Sequence, residues 1–79
     1  MTNNETARLS TLATVALEDN DEDALYEIAD VARGNAYDAL ASNDRPASAM
    51  LTTIALVSET RLARIIAHRN ERIAARRAR

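Results

Sequence analysis

Only one glycine and one proline interrupt this chain of 79 residues. These are the two residue types that most strongly end or kink a helix. Apolar residues recur at intervals of three and four along most of the chain, and no segment shows the strict apolar–polar alternation typical of a strand. The sequence therefore predicts an all-α fold.

Turn signals divide the chain into three helical segments, at about residues 4–18, 21–42 and 46–79. An acidic stretch separates the first two, and Asp19 or Asn20 is expected to cap the second helix. At the next break, Asn43 suits a left-handed cap, Asp44 an N-cap and Pro46 a first turn. The predicted architecture is a helical hairpin followed by a long C-terminal helix.

Each predicted helix has one apolar face that is rich in alanine. Seventeen of the 37 apolar residues are alanine, whereas phenylalanine and tryptophan are absent. The predicted core faces are Leu9, Leu12, Ala13, Ala16 and Leu17 in the first helix, Leu25, Ile28, Ala29, Ala32, Ala36, Ala39 and Leu40 in the second, and Leu51, Ile54, Ala55, Ser58, Leu62, Ile65, Ile66 and Ile73 in the third. Because alanine buries little surface, we expect a single domain, residues 1–79, with a thin core and closely packed helices.

The usual supports of so short a chain are disulfides, metals and oligomerisation. The sequence has no cysteine and one histidine, which excludes disulfides and thiolate zinc sites. We therefore predict no metal site and no cofactor, and oligomerisation is the support that remains.

The third helix points to the same conclusion. At about 48 Å it is longer than a globule of this size, which is about 30 Å across, so residues 67–79 are expected to overhang. Ile73 continues the apolar face into this overhang. We expect a homodimer or a higher oligomer whose interface contains Leu62, Ile65, Ile66 and Ile73.

Charge is sorted along the chain. Residues 1–45 contain ten acidic residues and three arginines, a net charge of −7, and residues 46–79 contain two acidic residues and seven arginines, a net charge of +5. Such asymmetry is typical of chains that bind another copy, another protein or nucleic acid.

The second helix is predicted to present an acidic face opposite its core face, formed by Asp19, Asp23, Glu27, Asp30 and Asp38. Both tyrosines flank this face. One interpretation is a solvated acidic surface. The other is a protein-binding surface, because tyrosine is a favoured interface anchor and a row of like charges repels until a partner neutralises it. The residues assigned to such a surface are Tyr26, Glu27, Asp30, Tyr37 and Asp38.

The third helix is predicted to carry an arginine stripe, formed by Arg61, Arg64, Arg72, Arg76 and Arg79 together with His68, within about 120° of one another. One interpretation is a cationic helix end that complements the helix dipole and pairs with acids of the same or a neighbouring molecule. The alternative is nucleic-acid binding, for which a one-sided arginine stripe is the electrostatic footprint. Against it, no aromatic residue lies within the stripe to stack on bases.

Catalytic signatures are missing from the sequence: there is no glycine-rich phosphate loop, no metalloprotease helix and no calcium-loop spacing. The leading hypothesis is a non-catalytic protein-interaction module, a small regulator, inhibitor or assembly component that binds an unidentified protein partner and oligomerises through its C-terminal helix. The alternatives are a nucleic-acid-binding protein and a self-assembling structural accessory protein of a bacterium or phage. Because no apolar segment reaches the about 18 residues of a membrane span, we expect a cytoplasmic protein without membrane contact.

Overall fold

The computed structural model describes residues 3–78, which form three helices: α1 (Asn3–Asp19), α2 (Glu22–Ala41) and α3 (Arg45–Arg77). The helices run up, down and up, so that α1 is parallel to α3 and antiparallel to α2. No strand occurs in this part of the chain. The prediction of an all-α fold, a helical hairpin with a long C-terminal helix, is confirmed.

The N-cap of α2 lies later in the chain than the sequence predicts. Asp19 is the last residue of α1, and Asn20 adopts the left-handed conformation with φ of +50°. Asparagine tolerates this conformation well, which leaves the extended N-cap position to the next residue. The side chain of Asp21 accepts a hydrogen bond from the Ala24 amide at 3.2 Å. The expectation that Asp19 or Asn20 caps α2 is therefore wrong.

The turn between α2 and α3 has the predicted chemistry. Asn43 is left-handed, with φ of +61°. Asp44 is the N-cap of α3, and its carboxylate accepts a hydrogen bond from the Ala47 amide at 3.2 Å. Pro46 lies in the first turn, where its missing amide hydrogen costs no helical hydrogen bond.

The core of the described residues is thin and rich in alanine, as the composition predicts. Its buried apolar residues are Leu9, Ala13, Ala16, Leu25, Ile28, Ala29, Ala32, Ala36, Ala39, Leu51, Ala55 and Leu62. Seven of these twelve are alanine, whose small side chains allow close helix packing. Helix α2 lies between the other two in sequence and packs mainly on α3.

Two leucines assigned to the core are exposed instead. Leu12 and Leu40 are 48% and 57% exposed. Consecutive residues on a helix are about 100° apart, and their neighbours Ala13 and Ala39 occupy the buried line in their place. Their assignment to the core is wrong. The same holds for Ile66 and Ile73, which are 40% and 41% exposed because they lie beyond Leu62, the last buried residue of α3. Leu12 reappears below as part of a groove.

The molecule is elongated, with principal extents of 55 × 21 × 14 Å. Leu62 is the last buried residue of α3, and every described residue after Ile65 is exposed. An ion pair joins Arg69 to Glu22 at the start of α2, so the first turn of this exposed segment still contacts the bundle. We call residues 66–78 the C-terminal overhang; at 1.5 Å per residue it is about 20 Å long.

Candidate protein-interaction site

A groove lies between α1 and α2, on the side of the bundle away from α3. Its buried floor is formed by Leu9, Ala16 and Ile28, its exposed walls by Leu12, Val15 and Val31, and its acidic rim by Asp19, Asp21 and Glu27, with Ala24 between floor and rim. The groove has a volume of about 440 Å³. We refer to it as the α1–α2 groove.

The walls of the α1–α2 groove are large apolar side chains that remain half in solvent. Leu12, Val15 and Val31 are 48%, 50% and 44% exposed. None of the described residues that line the groove is a cation, and none of its three rim carboxylates is in an ion pair within the described chain. Asp21 is engaged as the N-cap of α2, whereas Asp19 and Glu27 lie at the rim of the groove without a cation beside them in the described chain. An apolar groove with such acids suits an amphipathic helix with basic flanks.

A second groove, of about 370 Å³, lies between α2 and α3. Its lining residues are Tyr26, Ala29, Asp30, Arg33, Glu59, Leu62, Ala63 and Ile66. Arg33 and Glu59 form an ion pair within it. The hydrogen bond to Glu59 and the charge of that carboxylate raise the pKa of the Arg33 guanidinium above its usual value. The charges of Arg33 and Glu59 therefore compensate each other within this α2–α3 groove.

The structure divides the predicted acidic face between the two grooves. Glu27 lines the α1–α2 groove, whereas Tyr26 and Asp30 line the α2–α3 groove. Tyr37 and Asp38 are exposed outside both, and each tyrosine is 66% exposed. All five residues are exposed on α2 and accessible to a partner.

Asp19 belongs to the end of α1, not to α2 as the predicted face required, yet it lines the α1–α2 groove beside Glu27. The groove therefore draws its acids from both helices. Val15 and Val31 belong to none of the predicted sites. Their signal was that they are large apolar residues left outside every predicted core face.

The arginine stripe is not uniform. Arg61 is half-buried and donates hydrogen bonds of 2.9 Å to the Leu17 carbonyl oxygen and to Asn20 Oδ1. One nitrogen of this guanidinium therefore serves the fold, while the side chain also lines the groove beside the α1–α2 turn.

Further along the stripe, Arg64, His68 and Arg72 line an open groove of about 550 Å³ beside the α1–α2 turn. Arg76 is exposed in the overhang. Within the described residues, none of these three arginines is in an ion pair. The remaining predicted member, Arg79, lies outside the described residues.

The four predicted interface residues differ in what they offer a second molecule. Leu62 is only 6% exposed, because it packs into the core of its own chain, and Ile65 is half-buried. Ile66 and Ile73 are 40% and 41% exposed. Seven residues apart, these two isoleucines lie on one face of the overhang and are the part of the predicted interface with surface to bury.

The described residues contain no group of three or more histidine, aspartate or glutamate side chains placed to hold a metal ion. None of the described helices combines the length and the hydropathy needed to cross a bilayer.

No protein-family model, no curated protein and no solved structure matches the chain.

Proposed function

We propose that the chain is a non-catalytic protein-interaction module, a small regulator, inhibitor or assembly component, which takes a basic amphipathic helix into its α1–α2 groove. Its own C-terminal helix supplies the element for oligomerisation. The observation that supports this proposal is the groove itself, an apolar trough with half-exposed Leu12, Val15 and Val31 beneath three carboxylates.

Burial of the groove walls provides the affinity. Complete burial of a side chain of this size contributes about 1.5–3 kcal/mol, so the exposed half of each one contributes about 1 kcal/mol. The rim carboxylates select the sign of the partner, because like charges placed opposite them repel and arginines pair with them. A basic helix is therefore preferred over an acidic one with the same apolar stripe.

The experiment uses two designed helical peptides with one shared leucine stripe, flanked by arginines in one and by glutamates in the other. Each is titrated into the ¹⁵N-labelled protein and followed by amide chemical shifts. We expect the arginine peptide to shift the amides around Leu12, Val15 and Val31, and the glutamate peptide to leave them in place. Shifts that avoid the α1–α2 groove, or no shifts with either peptide, would refute the proposal.

Nucleic-acid binding is the second candidate function. It is supported by Arg64, Arg72 and Arg76, which are exposed and make no ion pair with another described residue. Three phosphate contacts predict that the logarithm of the affinity falls with the logarithm of salt at a slope of about −2 to −3. Fluorescence anisotropy with single-stranded RNA and duplex DNA measures this slope. The double variant R72E/R76E is expected to abolish binding, and affinity that is independent of salt would exclude this function.

A further inference from the structure

We propose that the partner helix in the α1–α2 groove is the C-terminal overhang of a second copy, exchanged reciprocally in a twofold-symmetric dimer. This inference rests on the proposed function and names the occupant of the same groove. It assigns a single role, dimer formation, to the α1–α2 groove and the C-terminal overhang.

The overhang presents the right face. The buried stripe of α3 runs through Leu51, Ala55, Ser58 and Leu62, and continues at helical spacing to Ile66 and Ile73. Ile66 lines the end of the α2–α3 groove, and Ile73 lies one turn beyond the ion pair that joins Arg69 to the start of α2. Ile73 is 41% exposed, so it offers apolar surface on which a second hairpin could pack.

The lengths also match. The overhang is about 20 Å long, and the part of α1 that lines the groove, from Leu9 to Asp19, spans about 15 Å, so the overhang is long enough to fill it. A second molecule, inverted end over end, places its α1–α2 hairpin beside the overhang. The same operation places its own overhang beside the first hairpin, so both grooves are filled and the assembly closes as a dimer.

Charge complementarity decides between the two grooves. Residues 66–78 contain four arginines and one glutamate, a net charge of +3, of which Arg69 is already paired with Glu22 of its own chain. The α1–α2 groove offers three carboxylates and no cation among its described lining residues. In the α2–α3 groove, the pair Arg33–Glu59 leaves only Asp30 uncompensated. Arg72 and Arg76, which make no ion pair within the described chain, are the cations assigned to the partner's rim.

The test is a charge exchange between groove and overhang, read by sedimentation equilibrium with circular dichroism to check helix content. The groove variant is D19R/E27R and the overhang variant is R72E/R76E. Asp21 is left intact because its carboxylate caps α2. Each variant alone is expected to be a monomer, with a dimer dissociation constant raised at least about a hundredfold by facing like charges.

Mixing the two variants is the decisive step. In the mixture each basic overhang meets an acidic groove and each acidic overhang meets a basic groove, so a heterodimer is expected. The matched control D30R/D38R reverses two charges outside the α1–α2 groove and is expected to remain dimeric. A control that dissociates, or groove and overhang variants that stay dimeric, would place the contact elsewhere and overturn the inference.

Failure of this inference is distinguishable from failure of the proposed function. An unmodified chain that is monomeric at 50 µM overturns the dimer; if its groove still binds the designed arginine peptide, the interaction function stands. If the peptide also fails to bind the α1–α2 groove, both are refuted. The variant I73D tests the apolar contact and is expected to dissociate the dimer. A dimer that survives this change would count against burial of Ile73 in the α1–α2 groove of the second copy.

Discussion

Arg61 of α3 holds the C-terminal end of α1, through a 2.9 Å hydrogen bond from its guanidinium to the carbonyl oxygen of Leu17. The same nitrogen donates to Asn20 Oδ1 in the turn that follows. The last carbonyls of a helix have no partner within the helix, and a cation there also complements the helix dipole. One arginine thus joins the start of the hairpin turn to the third helix.

Replacing this arginine tests the contact. We expect R61A to lower the free energy of unfolding by about 1–2 kcal/mol, because hydrogen bonds from a charged donor are lost at a half-buried site. R64A removes an equal charge from the exposed surface of α3 and is expected to change stability by less than about 0.5 kcal/mol. Urea denaturation of both variants measures the difference, and equal effects would argue against a special role for Arg61.

Gly34 lies in the middle of α2 and is exposed to solvent. A methyl group added there would meet no described atom beyond its own helix within 4 Å. G34A is expected to stabilise the protein by about 0.5–1 kcal/mol, since alanine favours helix and restricts the unfolded chain. The midpoint of urea unfolding should rise at unchanged slope. A loss of stability would show that Gly34 makes a close contact absent from the single chain.

The alanine lines of the core predict low tolerance to larger residues. Ala55 is fully buried in α3, whereas Ala49 is exposed on the same helix. A55L is expected to destabilise the fold by about 1–3 kcal/mol through overpacking, and A49L to have almost no effect, because leucine and alanine have similar helix propensity. Thermal unfolding monitored by circular dichroism compares the two, and a tolerant position 55 would contradict the close packing.

Two serines of α3 make different hydrogen bonds, one to another helix and one within α3. The Ser48 hydroxyl donates to the Ala36 carbonyl oxygen of α2 at 3.0 Å, whereas the fully buried Ser58 donates to Ile54 of its own helix at 2.9 Å. S48A is expected to cost about 0.5–1.5 kcal/mol. S58A leaves the Ile54 carbonyl with its helical hydrogen bond, so stability should stay level or rise. Chemical denaturation giving the reverse order would refute this distinction.

Sequence reasoning recovered the architecture because its signals were local. The left-handed Asn43, the Asp44 cap and Pro46 define the second turn, and helical spacing identifies most of the buried residues. It failed at Leu12 and Leu40, where an alanine beside each leucine occupies the buried line, and at Ile66 and Ile73, which lie beyond the buried part of α3. Residue type alone favours the larger side chain for the core, but alanine at a contact lets two helices approach more closely.

The groove could be predicted only in fragments. Helical periodicity on α2 identified Glu27, and a comparison of helix length with globule size predicted the overhang. The apolar walls Leu12, Val15 and Val31 were not predicted, because only the packing of α1 on α2 brings them together. Such a surface depends on the rotation of two helices about their axes, which a single helical wheel does not contain. For the same reason, the wheel did not show that Arg61 reaches across to the end of α1.

The alanine core also determines how this protein responds to heat. The heat-capacity change of unfolding scales with the apolar surface exposed, and alanine methyl groups expose less of it than leucine or phenylalanine side chains. Stability should therefore vary little with temperature, and the melting transition of a single copy should be broad. A chain that buries a second copy's helix gains the missing apolar surface on association, so its melting temperature rises with protein concentration.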